Sequence, residues 1–384
     1  MKRFFALLLV CVMALGIVAC TPKAPEPENK PNGEDTNVDD KDKTQDETKE
    51  DPKTDALFNS EDKVIDIYLI LGQSNAVGYT DIVNETAAKD YMGTSKFSNV
   101  LFAGATRWHD GGSVHYNDSY NWKATELGFG VGNGKDKMGP EVGMAKALSE
   151  VYNKESGKIA GIFKYGHGGT SLLQRSYSTM AAGDSNKYGT WVSPTYAERK
   201  YGINEKVYYA GEDRTGELYR EFLQIFEKKL KFLADLGYTN INIKGLYWMQ
   251  GENDRNNPDE YKVAFADFAS DIRRDVAKIV RGLTGGDDRG AADMPILVGL
   301  ISETQNLNSA DALATNQAFI EMQKTLPSVV SNCYIVDNSQ YKISEFNPSH
   351  PSSPKVLGSD EYHWKQADHL EIGYNVGKTF LEIQ

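Results

Sequence analysis

From Lys63 to the C-terminus, short runs rich in β-branched residues alternate with longer stretches of helical periodicity. That alternation restricts the chain more than any other feature, because strands separated by helix-length segments can pair only as a mainly parallel sheet covered on both faces. The expected strands are Val64–Leu71, Ile159–Tyr165, Ile241–Trp248, Ile296–Ile301 and Val329–Val336. The expected helices are Glu141–Asn153, Gly216–Leu236, Asp259–Leu283, Ala310–Thr325 and Ala367–Ile383. Leu218, Phe222, Ile225, Phe226, Leu230 and Leu233 mark one buried face on the second of these. The fold class is therefore α/β, a three-layer α/β/α sandwich with a five-stranded, mainly parallel sheet.

The N-terminal segment has a different character. Lys2 and Arg3 precede an apolar run from Phe4 to Val18, and residues 1–20 read as a secretory signal. Residues 21–62 carry a net charge of −8 out of −12 for the whole chain, with almost nothing apolar before Ala56. Such a segment cannot offset its ordering entropy by burial. It reads as a disordered acidic linker whose ends lie on the order of 35 Å apart. Residues 63–384 then form one domain. The acidic balance excludes nucleic-acid binding through basic patches, and three cysteines exclude a disulfide-stapled scaffold.

In open parallel sheets the chemistry sits beyond the carboxyl ends of the strands. Three polar, glycine-bearing segments stand there: Gly72-Gln73-Ser74-Asn75, Gly166-His167-Gly168-Gly169-Thr170, and Met249-Gln250-Gly251-Glu252-Asn253-Asp254. A serine at the start of a helix can be a simple N-cap, or it can present hydroxyl and backbone N–H to the crevice as a nucleophile. A nucleophilic serine needs a base. Asp360-Glu361-Tyr362-His363 spaces a carboxylate so that one turn of chain presents Asp360 to Nδ1 of His363, turning Nε2 outward.

Taken in order, these segments together with Gly139-Pro140-Glu141 and Glu371-Ile372-Gly373 resemble the SGNH hydrolases. The likeness is to the branch holding sialate O-acetylesterases and the acetylxylan esterases of carbohydrate esterase family 6. Ile17-Val18-Ala19-Cys20 resembles a bacterial lipobox, which implies lipidation of Cys20, a membrane anchor, and residence on the outer face of a bacterial cell membrane.

The resemblance implies a serine esterase that removes O-acetyl groups from a glycan without metal or cofactor. Ser74, Asp360 and His363 match the triad, and Ser74 with Gly168 or Gly169 supplies oxyanion donors. Gln73, Gln250, Glu252 and Asn253 line or complete the site, with Gln250 expected, ahead of Asn253, to complete the oxyanion hole. Glu141 supports it from below, His369 stays on a helix face, and His167 either contacts substrate or is an ordinary loop histidine. The alternatives are a non-catalytic carbohydrate-binding lipoprotein and a lipase or thioesterase on the same fold.

Two stretches, Tyr79–Met138 and Ser171–Thr215, are too long for plain connections. The second holds Tyr177, Tyr188, Trp191, Tyr196, Tyr201, Tyr208 and Tyr209, which suit either stacking on sugar rings or ordinary packing. Trp108 and Arg175 are candidate substrate contacts. Gly128–Lys135 departs from a phosphate loop, since Asp136 stands where Ser or Thr is required; it reads as a lid or substrate-facing loop.

Overall fold

A computed structural model describes residues 62–110, 113–118, 120–131, 135–173 and 189–384, without the side chains of 108–110, 113–116 and 310. The signal-like segment, Cys20 and all but the last residue of the acidic stretch lie outside the described residues.

The main sheet contains β1 (Val64–Gly72), β2 (Lys96–Asp110), β3 (Ser113–Asn117), β4 (Lys123–Glu126), β5 (Ala160–His167), β6 (Asn240–Met249), β7 (Ile296–Gly299) and β8 (Cys333–Val336). Their order is β8-β7-β6-β1-β5-β2-β3, with β4 also on β2. Every pairing from β8 to β2 is parallel, and β3 and β4 run antiparallel to β2. The five expected strands are all present. The count of five is corrected to eight: Lys96–Asp110 and its two antiparallel partners extend the sheet from within the stretch expected to be an insertion. Their apolar residues Phe97, Val100, Leu101, Phe102 and Ala103 are buried.

The helices are α1 (Ser74–Val77), α2 (Glu85–Met92), α3 (Glu141–Ser149), α4 (Pro194–Tyr201), α5 (Glu205–Ala210), α6 (Glu217–Asp235), α7 (Pro258–Thr284), α8 (Ala310–Lys324) and α9 (Gln366–Glu382). α3 packs on α9, while α6, α7 and α8 pack in sequence. The α3–α9 crossing is a backbone contact. A Cβ at Gly373 would come 2.1 Å from Pro140 O, and one at Gly143 would come 1.9 Å from Leu370 O. Gly373 thus lets α9 lie directly against the start of α3.

β1 is the strand at which the winding direction reverses, with β5 on one side and β6 on the other. Gly72 is level with Gly166 and with Met249, so the three strand ends open onto one crevice. Beneath it lies a fully buried ion pair. Lys164 Nζ of β5 donates to Glu141 Oε2 at 2.8 Å and to Phe129 O at 2.7 Å, and Glu141 Oε1 accepts the Gly139 N–H at 3.0 Å. Burial pushes the Lys164 ammonium down, and Glu141 opposes that shift.

Removing one member of such a pair strands the other charge. Lys164→Ala is expected to cost about 3–5 kcal/mol. Lys164→Met combined with Glu141→Leu should recover part of that loss, both read from urea unfolding midpoints.

Candidate active site

Ser74 opens α1, with Gln73 in extended conformation before it. Its backbone N–H belongs to the first helical turn, where no intrahelical acceptor exists. A pocket of about 360 Å³ is lined by Gln73, Ser74, Tyr79, Gly168, Gly169, Glu252, Asn253, Arg255, Gln305, Asn306, Tyr362 and His363. Residues from all three expected strand-end segments and from the Asp360–His363 turn therefore share one wall.

The Asp360 turn is internally tied. Asp360 Oδ1 accepts the N–H groups of Tyr362 (2.7 Å) and His363 (2.9 Å), Oδ2 lies 2.7 Å from His363 Nδ1, and Ser359 N–H closes onto His363 O. Burial raises the Asp360 carboxyl, but the His363 ring and the two N–H donors outweigh it and hold the group below the usual carboxylate range. With Nδ1 engaged, Nε2 is the ring nitrogen left for the pocket. Among the described residues the Ser74 hydroxyl makes no hydrogen bond to that ring. In sites of this class the bond is commonly loose until substrate is bound.

The two sides of the pocket are sewn together around Asn75. Its Nδ2 donates to Glu252 Oε1 at 3.1 Å and to Tyr362 O at 3.4 Å, and Gln305 Nε2 also donates to Tyr362 O at 3.0 Å. Burial raises the Glu252 carboxyl above its ordinary value, against the lowering effects of its own backbone N–H, Asn75, His363 and Arg255.

His369 lies on the inward face of α9, a helix-face residue as expected. It is fully buried, with Nε2 3.0 Å from Asn75 O and Nδ1 2.7 Å from the Thr80 hydroxyl, which also lies 2.9 Å from Trp364 O. A carbonyl only accepts, so the proton sits on Nε2. Burial drives this imidazole down to about 3 and keeps it neutral.

The role expected of Gln250 needs correction. Its side chain is fully buried behind the pocket. Nε2 donates to Thr170 O (3.1 Å) and Asp254 Oδ2 (2.7 Å), with a longer contact to Gln73 Oε1, and Oε1 accepts from Tyr261. Both amide protons are committed to bracing the loops. Asn253 is the one of the two that lines the pocket, and its Nδ2 donates to Gly169 O.

His167 is buried and outside the pocket lining. Of the described insertion aromatics, Trp191, Tyr196 and Tyr208 are buried in the core, Tyr201 is partly buried and Tyr209 is exposed. Trp191 meets Trp248 of β6 edge to face, and Tyr208 donates to Val192 O, Tyr196 to Glu260 and Tyr209 to Asp275. Arg175, Tyr177 and Tyr188 lie outside the described residues, as does the Trp108 side chain. The glycine stretch is no lid where it is described: residues 128–131 are buried, and Val131 N–H binds Gly78 O.

Sequence reasoning overlooked Tyr79, Arg255, Gln305, Asn306 and Tyr362. Arg255, three residues after Glu252, and Tyr362, inside the Asp360–His363 turn, were within reach of the motifs; the others enter through loops with no pattern of their own. Among the described residues no group of three His, Cys, Asp or Glu side chains is arranged to hold a metal ion.

A family model described as "Carbohydrate esterase, sialic acid-specific acetylesterase" matches residues 64–353, ending short of Asp360. Among solved structures the chain is similar to a protein from Arabidopsis thaliana, with 16% identity over 83% of this chain and 98% of that one and a TM-score of 0.47. It is also similar to NanS, with 13% identity over 84% and 98% and a TM-score of 0.49. A third likeness is to XAC1771, a carbohydrate acetylesterase from Xanthomonas citri, with 13% identity over 81% and 55% and a TM-score of 0.41. No curated protein sequence matches.

His369 sets a pH dependence whose sign follows from its burial. Between about 6.5 and about 3 the unfolded chain binds this proton and the folded one does not. Stability is therefore expected to fall as pH drops through that window, by up to about 1.4 kcal/mol per pH unit from this group. Urea midpoints of His369→Gln should show a correspondingly shallower slope than the parent protein.

Proposed function

Since the chain belongs to the sialic acid-specific acetylesterase family of carbohydrate esterases, we propose that it removes O-acetyl groups from a glycan by acyl transfer through Ser74. The observation that carries this reading is the Asp360–His363 pair at 2.7 Å, its ring lining the same pocket as Ser74. Asp360, ionised and fixed by three hydrogen bonds, holds the ring with Nδ1 protonated and steadies the imidazolium that forms.

Ser74 Oγ attacks the acetyl carbonyl while its proton passes to His363 Nε2. The tetrahedral oxyanion is met by the N–H groups of Ser74 and of Gly168 or Gly169. Each such donor is commonly worth about 3 kcal/mol of barrier. Collapse breaks the bond to the sugar oxygen, which takes the proton from His363. Water then attacks the acetyl-enzyme, giving its proton to His363, and acetate leaves as Ser74 is reprotonated. A pocket of about 360 Å³ with mostly polar walls suits an acetyl group on a sugar better than a long acyl chain.

Arg255 bears on which sugar. It lines the pocket and makes no hydrogen bond or ion pair with the described residues, leaving its guanidinium for the substrate. An acidic sugar such as an acetylated sialic acid fits that cation better than neutral xylan does. A lipid anchor on Cys20, with the domain on the outer face of the cell membrane, completes the proposal and rests on the lipobox-like segment.

Ser74→Ala is expected to abolish p-nitrophenyl acetate hydrolysis and labelling by a fluorophosphonate while leaving thermal unfolding unchanged. Retained turnover removes the assignment. Arg255→Ala should raise KM for an O-acetylated acidic sugar at least about tenfold, with p-nitrophenyl acetate kinetics unaltered. An equal effect on both substrates would count against a carboxylate contact. Cys20→Ser should release the protein from the membrane fraction into the medium.

A further inference from the structure

The His363 ring is stacked on Tyr79, with centroids 5.1 Å apart and planes 15° from parallel. The far end of the same tyrosine lies against the oxyanion loop. A Cβ at Gly168 would come 3.0 Å from Tyr79 Oη and 3.2 Å from its Cε2. The backbone on either side of Tyr79 is hydrogen-bonded to its surroundings. Gly78 N–H binds Ser74 O at 2.9 Å, Gly78 O accepts from Val131 at 2.9 Å, and Thr80 pairs with Met138 in a two-residue ladder. The Thr80 hydroxyl reaches Trp364 O, the residue after His363.

We propose that Tyr79 is a positioning residue for the base, its ring wedged between the His363 imidazole and the backbone of Gly168. This rests on the reading of His363 as the base. One hydrogen bond to Asp360 holds Nδ1 but leaves the ring free to rock about that bond; a flat partner on one face removes that freedom. As His363 takes the Ser74 proton, the tyrosine face also favours the cation formed. A Cβ at residue 168 would press on the phenol end of Tyr79, which would have to give by a few tenths of an ångström. Nucleophile and wedge lie five residues apart on one short segment, so the spacing between attack and proton transfer is set by the α1 turn.

The test uses the full-length protein and p-nitrophenyl acetate. Tyr79→Phe keeps the flat face and should hold kcat within about twofold, whereas Tyr79→Leu should lower kcat about tenfold with KM little changed. The acidic limb of the kcat/KM profile in Tyr79→Leu should move to lower pH by about half a unit, a readout that a purely structural role would leave in place. Leu with parental kcat and an unmoved limb overturns the proposal, as does Phe losing as much as Leu. Should Tyr79→Leu fail to fold, NMR of the parent protein decides. Ring current from Tyr79 should shift the His363 ring protons upfield, and unshifted protons overturn the stacking. Ser74→Ala separates the two levels of inference: if it is inert while the Tyr79 variants are silent, the wedge alone falls, and if it stays active, the acyl-transfer reading falls first.

Discussion

The site depends on a short seam of hydrogen bonds that binds residues 75–80 to residues 362–369. Asn75 and Tyr362 are 287 positions apart, and the seam runs from Asn75 Nδ2 to Tyr362 O, from the Thr80 hydroxyl to His369 Nδ1, and from His369 Nε2 to Asn75 O. Each bond adds only about 1 kcal/mol net, but leaving any of these buried groups unpaired costs about 1–3 kcal/mol. Once the sheet has brought the segments together, the seam therefore has few alternatives. It holds the turn that starts α1 against the turn that carries the His363 imidazole.

Two features of the scaffold make that seam possible. α9 must lie close enough to α3 for His369 to reach under the nucleophile turn, and the glycines at 143 and 373 permit that approach by removing the side chains that would separate the helices. The Lys164–Glu141 pair then ties β5 to the start of α3 and to Phe129 O, fixing the floor on which the strand ends rest. An ion pair of this kind adds little net stability. Its effect is on geometry, since no shifted register would satisfy both charges at once.

Electrostatics in the pocket is divided between two carboxylates. Asp360 is held low by the imidazole and two backbone donors, whereas burial raises Glu252, which is gripped on one oxygen by Asn75. Environments that push two acids in opposite directions separate their duties. The one held low is bonded to the imidazole of His363, and the other lines the pocket wall between Ser74 and His363. Arg255 adds a positive charge to the pocket wall and acts on Glu252 to lower it.

Much of this was readable from the amino-acid order. Five strands were visible because β-branched runs between helix-length segments admit few other arrangements. Asp360 and His363 could be paired because their interaction spans one turn of chain and is nearly independent of what surrounds it. The strands over residues 96–126 escaped notice because Lys96–Asp110 mixes Lys96, Ser98 and Asn99 with its apolar residues and turns polar after Ala105, which resembles an excursion until a neighbouring strand is present. The insertion aromatics could have faced sugar or core, and only the packing of α4, α5 and α7 decided for the core at Trp191, Tyr196 and Tyr208. Gln250 and Asn253 are three residues apart in one motif; which amide reaches the pocket depends on Tyr261, Thr170 and Asp254 claiming the other. Tyr79 carries no motif at all. Local spacing thus determined the fold class and the acid–base pair, because those follow from interactions within a few residues. Tertiary structure decided which side chains face the pocket, because that choice is made by partners far away along the chain competing for the same hydrogen bonds and the same space.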